Sequence, residues 1–302
     1  MCGICGCADN QGATLLNLQT GETSTVSSHA HAHEHGHSHG TAHIHAHEHH
    51  DDDPAHRHDH HHHNDHHRHH HHDAHAHGHG VTVDLEARIL AKNDALAAKN
   101  RAWFAGREIL ALNLVSSPGA GKTALLERTI RDLKDELALC VIEGDQATAA
   151  DGERIRAAGA AAVQVNTGTG CHLEADMIAQ AVKALKPAPN SVLLIENVGN
   201  LVCPALFDLG ERAKVAILSV TEGEDKPLKY PHMFRAAALL LMNKTDLLPH
   251  VDFDMDKAIA HAREVNPEIE VLQISARSGA GLEAWYGWLR RELDLAKQAV
   301  FA

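Results

Sequence analysis

Seven short runs rich in Val, Ile and Leu recur between residues 109 and 276: ILALNLVSS, ALCVIEGD, AVQVNTG, SVLLIENVG, KVAILSVTEG, ALLLMNKTD and IEVLQISA. Stretches of helical pattern separate them. Near-continuous branched residues leave a strand no polar face, so a sheet built from such strands must be covered on both sides. Strand and helix in alternation predict an α/β fold with a mainly parallel sheet flanked by helices. An amphipathic helix is predicted ahead of them over DLEARILAKNDALAAKNRAWFAG, ending near Gly106. In sheets of this kind ligands bind beyond the carboxyl ends of the strands. The motifs of the globular region all lie at such ends.

The first run continues as LNLVSSPGAGKTALL, a strand, a tight loop and the start of a helix. It follows the phosphate-binding pattern G-x-x-x-x-G-K-[ST], with Ser116 in place of the first Gly. Gly119 and Gly121 allow successive backbone N–H groups to turn inward as an anion nest at a helix N-terminus. Lys122 is placed to reach the β and γ phosphates, and the Thr123 hydroxyl to ligate Mg2+. A Gly-rich turn alone is a common structural device; GKT at the strand–helix junction sets this one apart. The sixth run ends in Asn243-Lys244-Thr245-Asp246 and the seventh in Ser275-Ala276. A carboxylate at Asp246 accepts from both N1–H and the exocyclic amine of guanine, a donor pair adenine lacks, so the expected nucleotides are GTP and GDP. The Ala276 N–H is expected to meet the guanine O6, and the Lys244 stem to lie over the ring. Mg2+ requires further oxygen ligands. Asp145 and Glu196 end the second and fourth runs and are the acidic candidates, and Gly199 is expected to sense the γ phosphate through its backbone. No water-orienting Gln is evident, which predicts slow hydrolysis.

Cys171 and His172 follow the third run and Cys203 follows the fourth. Both strand ends are expected on the nucleotide side of the sheet, and two thiolates and an imidazole converging there suit Zn2+ or Ni2+. Cys140, inside a strand run, reads as a small buried hydrophobe. Because Cys203 lies in the segment that should move when the γ phosphate is lost, metal affinity and nucleotide state are expected to be linked, reciprocally.

The front of the chain is different. Residues 1–7, MCGICGC, carry Cys2, Cys5 and Cys7; residues 8–27 read as a polar linker. Residues 28–80 hold all but four of the 30 histidines, mixed with Asp and Glu. That tract lacks the apolar surface to offset the entropy of ordering and is expected to be disordered and metal-binding. The globular domain is therefore placed at residues 81–302. A formal charge of −13 argues against general nucleic-acid binding. No signal-peptide core or membrane span is visible, so the expected location is the cytoplasm. Thiols stay reduced there, which favours metal binding or redox chemistry over disulfides for the first three cysteines.

Taken together, C-x-x-C-x-C, the His tract, SSPGAGKT, EGDQATAADGERIRA, NTGTGCH, ENVGNLVCP, SVTEGEDKPLKYP and NKTD resemble the HypB family, GTPases that help insert nickel into [NiFe] hydrogenase. The resemblance covers essentially the whole chain. It implies a P-loop NTPase of the SIMIBI type, the class of signal-recognition and MinD-type NTPases, often dimerising with bound nucleotide. It implies a HypA-type nickel chaperone as partner and the hydrogenase large-subunit precursor as recipient. It also implies that Cys2, Cys5 and Cys7 form a tight nickel site, and that Cys171, His172 and Cys203 form a zinc or nickel site in the G domain. Leu247 and Lys229 are candidates near the family's dimer contact. Two rival readings are a urease-accessory GTPase and a nickel store with incidental GTPase activity. The urease relative usually carries Cys-Pro-His, whereas here Ala205 follows Cys203-Pro204.

Overall fold

The computed structural model describes residues 13–26, 78–145 and 150–298. Cys2, Cys5, Cys7 and the His tract up to residue 77 lie outside the described residues. The described residues of the compact unit are 13–26, 83–145 and 150–298.

The chain enters the sheet earlier than its composition suggests. Within the stretch read as a linker, β1 (Thr14–Asn17) and β2 (Thr23–Thr25) form an antiparallel hairpin. Asn17 Oδ1 closes the turn by accepting from the N–H groups of Gln19 at 2.9 Å and Thr20 at 3.2 Å. Leu15 is buried with Val163 and Val165 on one face, while Leu16 packs against the cluster on the other. A strand of four residues is too short for its alternation to stand out from polar surroundings, which is why the linker reading fails there.

Helix α1 (Gly78–Ala105) ends where the sequence predicts. Its docking differs from an apolar stripe. The buried face carries Asn93, Ala97, Asn100 and Phe104, while Ile89 and Trp103 are exposed. Asn93 Nδ2 donates to the Asp208 carbonyl (2.7 Å) and its Oδ1 accepts from Ala175 N (2.9 Å). Asn100 Nδ2 donates to the carbonyls of Ala175 (2.8 Å) and Leu209 (3.0 Å). Amide bonds replace part of the expected hydrophobic contact. Gly210, at φ +88°, allows the close approach, since a Cβ there would sit 2.5 Å from the Ala97 carbonyl oxygen.

The seven apolar runs all become strands. In order come β3 (Leu110–Ser116), α2 (Lys122–Leu133), β4 (Leu139–Asp145), α3 (Ala150–Ala158), β5 (Ala161–Asn166), α4 (Ala175–Leu185), β6 (Val192–Glu196) and α5 (Cys203–Leu206). They are followed by β7 (Ala213–Ser219), α6 (Lys226–Lys229), α7 (Pro231–Ala236), β8 (Ala237–Asn243), a 3-10 turn (Thr245–His250), α8 (Met255–Val265), β9 (Glu270–Gln273) and α9 (Leu282–Gln298). The sheet order is β2-β1-β5-β4-β6-β3-β7-β8-β9, and β3 to β9 pair in parallel. Successive strand residues point to opposite faces. Leu110, Leu112 and Leu114 of β3 meet α2 and α9 on one side. On the other, Ala111 joins a cluster with α1 and α4, and Val115 one with α7 and α8. Cys140 is buried in the same cluster as Ala111, and burial pushes its thiol up to about 12. Among the described residues, no helix is long and apolar enough to cross a membrane.

Candidate functional site

The strand order decides what meets at the carboxyl rim. β6 lies between β4 and β3, so the loop after β6 is set beside the phosphate loop after β3 and the acidic end of β4. A cleft of about 470 Å³ opens there, lined by Gly119, Gly121, Lys122, Thr123, Asp145, Glu196 and Gly199 among others. The structure thus brings together the phosphate-loop and Mg2+ candidates read from the sequence. Gly119 and Gly121 take φ of +75° and +98°, the left-handed conformation that curls the loop. Lys122 Nζ donates to Ser116 Oγ at 2.8 Å. Burial lowers its pKa, while Glu196, Asp151, Glu143 and Glu222 act in the opposite direction. Gly199 packs so closely that a Cβ would lie 3.1 Å from Pro118 Cα, which leaves the segment after β6 resting on the phosphate loop.

Thr123 Oγ1 donates to Glu196 Oε1 at 2.8 Å. Burial pushes Glu196 up to about 7, with Lys122 and the Thr123 bond opposing. Facing Glu196 across the β4–β6 register is Glu143, a site residue that the sequence reading missed. It is 2% exposed. Burial first, then Glu196, Asp145 and Asp151, raise its carboxyl to about 9. Oε2 of both glutamates has no hydrogen-bond partner among the described residues. A hydroxyl and clustered carboxylates with unsatisfied oxygens are a donor set that fits Mg2+. The one signal for Glu143 was a charged residue inside an otherwise apolar strand. Asp151 and Arg154 also line the cleft; the Arg154 guanidinium is held by Asp151 and Glu127, each at 2.8 Å.

The loop after β8 is stitched to the phosphate loop. Asn243 Nδ2 donates to the Ala120 carbonyl (2.9 Å), and Lys244 Nζ to that of Gly119 (2.7 Å). A Cβ on Gly121 would fall 2.7 Å from Asn243 Nδ2, so glycine is required there on two grounds. Asp246 Oδ1 accepts from Ser275 Oγ at 2.6 Å, which unites the two loops read as the base pocket. One detail departs from expectation. The Ala276 N–H donates to Asn243 Oδ1 at 3.2 Å, so it is already engaged and would have to be shared to reach a base oxygen. Leu247 is half-buried in the 3-10 turn, and Lys229 is exposed on α6, paired with Asp225 at 2.6 Å.

Next to the cleft, the donor atoms of Cys171, His172 and Cys203 all lie within 4.8 Å of one another. The two sulfurs are 3.1 Å apart, and His172 Nδ1 is 3.7 Å from Cys171 Sγ. The imidazole lies over the Phe207 ring at 3.9 Å, and its Nε2 is 3.6 Å from Glu174 Oε1. The His172 imidazole beside it holds the Glu174 carboxyl below its usual range. A carboxylate on the far nitrogen is the arrangement that orients a ligating histidine. It leaves Nδ1 to face the sulfurs. Glu174 was not singled out in the sequence, where it is one more acid at a helix start.

Residues 110–273 match the family described as CobW/HypB/UreG, nucleotide-binding domain. The hydrogenase maturation factor HypB of Rhizobium leguminosarum bv. viciae is 60% identical over 218 residues, covering 72% of this chain and 72% of that one. HypB of Escherichia coli K12 is 62% identical over 210 residues, covering 70% of this chain and 72% of that one. The crystal structure of HypB from Helicobacter pylori in complex with nickel is 38% identical, with a TM-score of 0.63 over 67% of this chain and 95% of that one. With its phosphate loop, base-pocket motif and Cys/His cluster on one rim of a P-loop sheet, this chain belongs to the HypB family of hydrogenase maturation factors.

Proposed function

We propose that this chain hydrolyses GTP slowly and uses the nucleotide cycle to hold and release nickel during its insertion into the [NiFe] hydrogenase large subunit. The observation that carries the reading is the continuity of residues 196–203. Glu196 accepts from Thr123, Gly199 rests on Pro118, and Cys203 lies 3.1 Å from Cys171. A segment that senses the γ phosphate at one end thus delivers a thiolate at the other. The backbone nest and Lys122 hold the β and γ phosphates, and Asp246 with Ser275 selects guanine. Thr123, Asp145 and Glu196 would hold Mg2+, which neutralises charge on the β and γ oxygens when bound. The cargo ion at Cys171, His172 and Cys203 is Ni2+, with Zn2+ as the competing occupant of the same donors.

In this reading Cys2, Cys5 and Cys7 capture nickel tightly, and the histidines of residues 28–80 buffer it, since neutral imidazoles bind at cytoplasmic pH and release as protons compete. A HypA-type chaperone is the proposed partner in delivery. A homodimer formed with nucleotide or metal is the proposed working state, and the cytoplasm its place. The test is hydrogenase maturation in cells carrying Lys122→Ala or a deletion of residues 28–80. A GTP-driven chaperone loses maturation with Lys122→Ala. Normal maturation in that variant, with loss only on deleting the tract, would instead identify a nickel store.

A further inference from the structure

The sheet contains a buried polar chain that its covering helices do not explain. Asn113 is 0% exposed in the middle of β3, and Asn197, just past β6, is 1% exposed. Buried amides of this kind are tolerated where every group finds a partner, and they then fix one arrangement. Asn197 Oδ1 accepts from two backbone N–H groups, Leu173 at 3.2 Å and Val198 at 3.0 Å. Neither can act as an acceptor, so the orientation of this amide is determined. Its Nδ2 must then donate to Asn113 Oδ1, at 3.1 Å, and Asn113 Nδ2 to Glu211 Oε1, also at 3.1 Å. Lys214 closes the chain on Glu211 at 2.9 Å. The whole row is anchored from the far end.

What it anchors is Leu173, the residue after Cys171 and His172. The Leu173 side chain is buried directly over Gly144, where a Cβ would meet it at 2.9 Å, between the cleft residues Glu143 and Asp145. The Asn197 N–H also donates to the Leu114 carbonyl of β3 at 3.0 Å. Cys203 has a main-chain link to the γ-phosphate sensor Gly199. The Cys171–His172 half of the metal cluster has no such link along the chain, because it follows a different strand.

We propose that Asn197 is a positioning residue that supplies the buried link, beside the longer bond from Asn200 Nδ2 to the Cys171 carbonyl at 3.4 Å, tying Leu173, and so Cys171 and His172, to the segment that reads the nucleotide. When that segment moves, Asn197 carries the Cys171–His172 loop with it. The metal geometry is then reset at both halves rather than stretched from one. This rests on the nucleotide–nickel coupling proposed above.

The experiment uses the full chain with Cys2, Cys5 and Cys7 changed to Ser, so that sulfur-to-nickel charge-transfer absorption reports the Cys171/Cys203 site. Histidine-bound nickel in the tract gives no such band. Ni2+ affinity is measured with GDP and with a non-hydrolysable GTP analogue. The parent is expected to show a ratio of about tenfold, within the usual range of coupling between sites. Asn197→Ala is expected to reduce it to about twofold or less, with faster hydrogen exchange at the Leu173 amide. Asn113→Ala, which frees the amide without touching Leu173, should also lower the ratio, and it carries the test if Asn197→Ala does not fold. Asn100→Ala, a buried asparagine outside the chain, should leave the ratio intact and so controls for general destabilisation. Retention of the parent ratio in both Asn197→Ala and Asn113→Ala overturns the assignment. A parent ratio of one overturns the coupling reading itself, and this assignment with it.

Discussion

Glu143→Gln should make the protein more stable, and increasingly so as pH rises. Glu143 is buried opposite Glu196, with one oxygen lacking a hydrogen-bond partner among the described residues. Its carboxyl is raised from 4.5 to about 9 by burial, then by Glu196, Asp145 and Asp151, with Lys122 opposing. Between those two values the native state retains a proton that the unfolded chain releases. The stabilisation linked to that proton is complete below pH 4.5 and is lost as pH climbs towards 9. Each pH unit inside the window is worth about 1.4 kcal/mol. From pH 5 to pH 7.5 the parent should therefore lose roughly 3 kcal/mol that a non-ionising Gln does not. At about 2–4 °C per kcal/mol for a domain of this size, the Tm advantage of the variant should grow by roughly 6–12 °C. Thermal unfolding of both proteins without nucleotide or divalent cation, at pH 5 and pH 7.5, measures it. Glu196, raised to about 7, ionises in the same interval, so the comparison is variant against parent at each pH. A Tm difference that stays constant, or shrinks, between the two pH values would refute the argument.

Asp246→Asn should weaken GTP binding by tenfold or more, because charge-assisted bonds of about 1.5–3 kcal/mol each are lost, and should improve xanthosine triphosphate binding; titration calorimetry with both nucleotides decides it. Gly121→Ala should lower nucleotide affinity at least tenfold, since it combines about 1–2 kcal/mol of left-handed backbone strain with a Cβ 2.7 Å from Asn243 Nδ2. An affinity within twofold of the parent, read with a fluorescent GDP analogue, would contradict that. Gly210→Ala should cost about 1–3 kcal/mol of stability by overpacking, because its Cβ would sit 2.5 Å from the Ala97 carbonyl; urea unfolding measures the loss, and faster hydrogen exchange in α1 would trace it to the helix contact.

The local pattern alone determined the seven parallel strands, the phosphate loop and the placement of Asp145, Glu196, the Cys/His residues and NKTD at strand ends. Such features are legible because the apolar period records which residues face a core, and glycine with its neighbours records where the backbone must turn. Three things were decided only in the folded molecule. The hairpin at residues 14–25 draws its stability from the edge of β5 and from both core faces, and four residues of alternation carry no such signal. Helix α1 docks through Asn93 and Asn100, whose carbonyl and N–H partners, 75 or more residues away, no helical pattern can announce. Glu143 faces Glu196 because the crossovers insert β6 between β4 and β3, and Cys203 after β6 meets Cys171 after β5 across the end of β4, which lies between them. Residue type and spacing describe a strand's faces and its end. Which strand lies beside it depends on how the helices pack across the whole sheet, and that neighbour relation is what assembles the site.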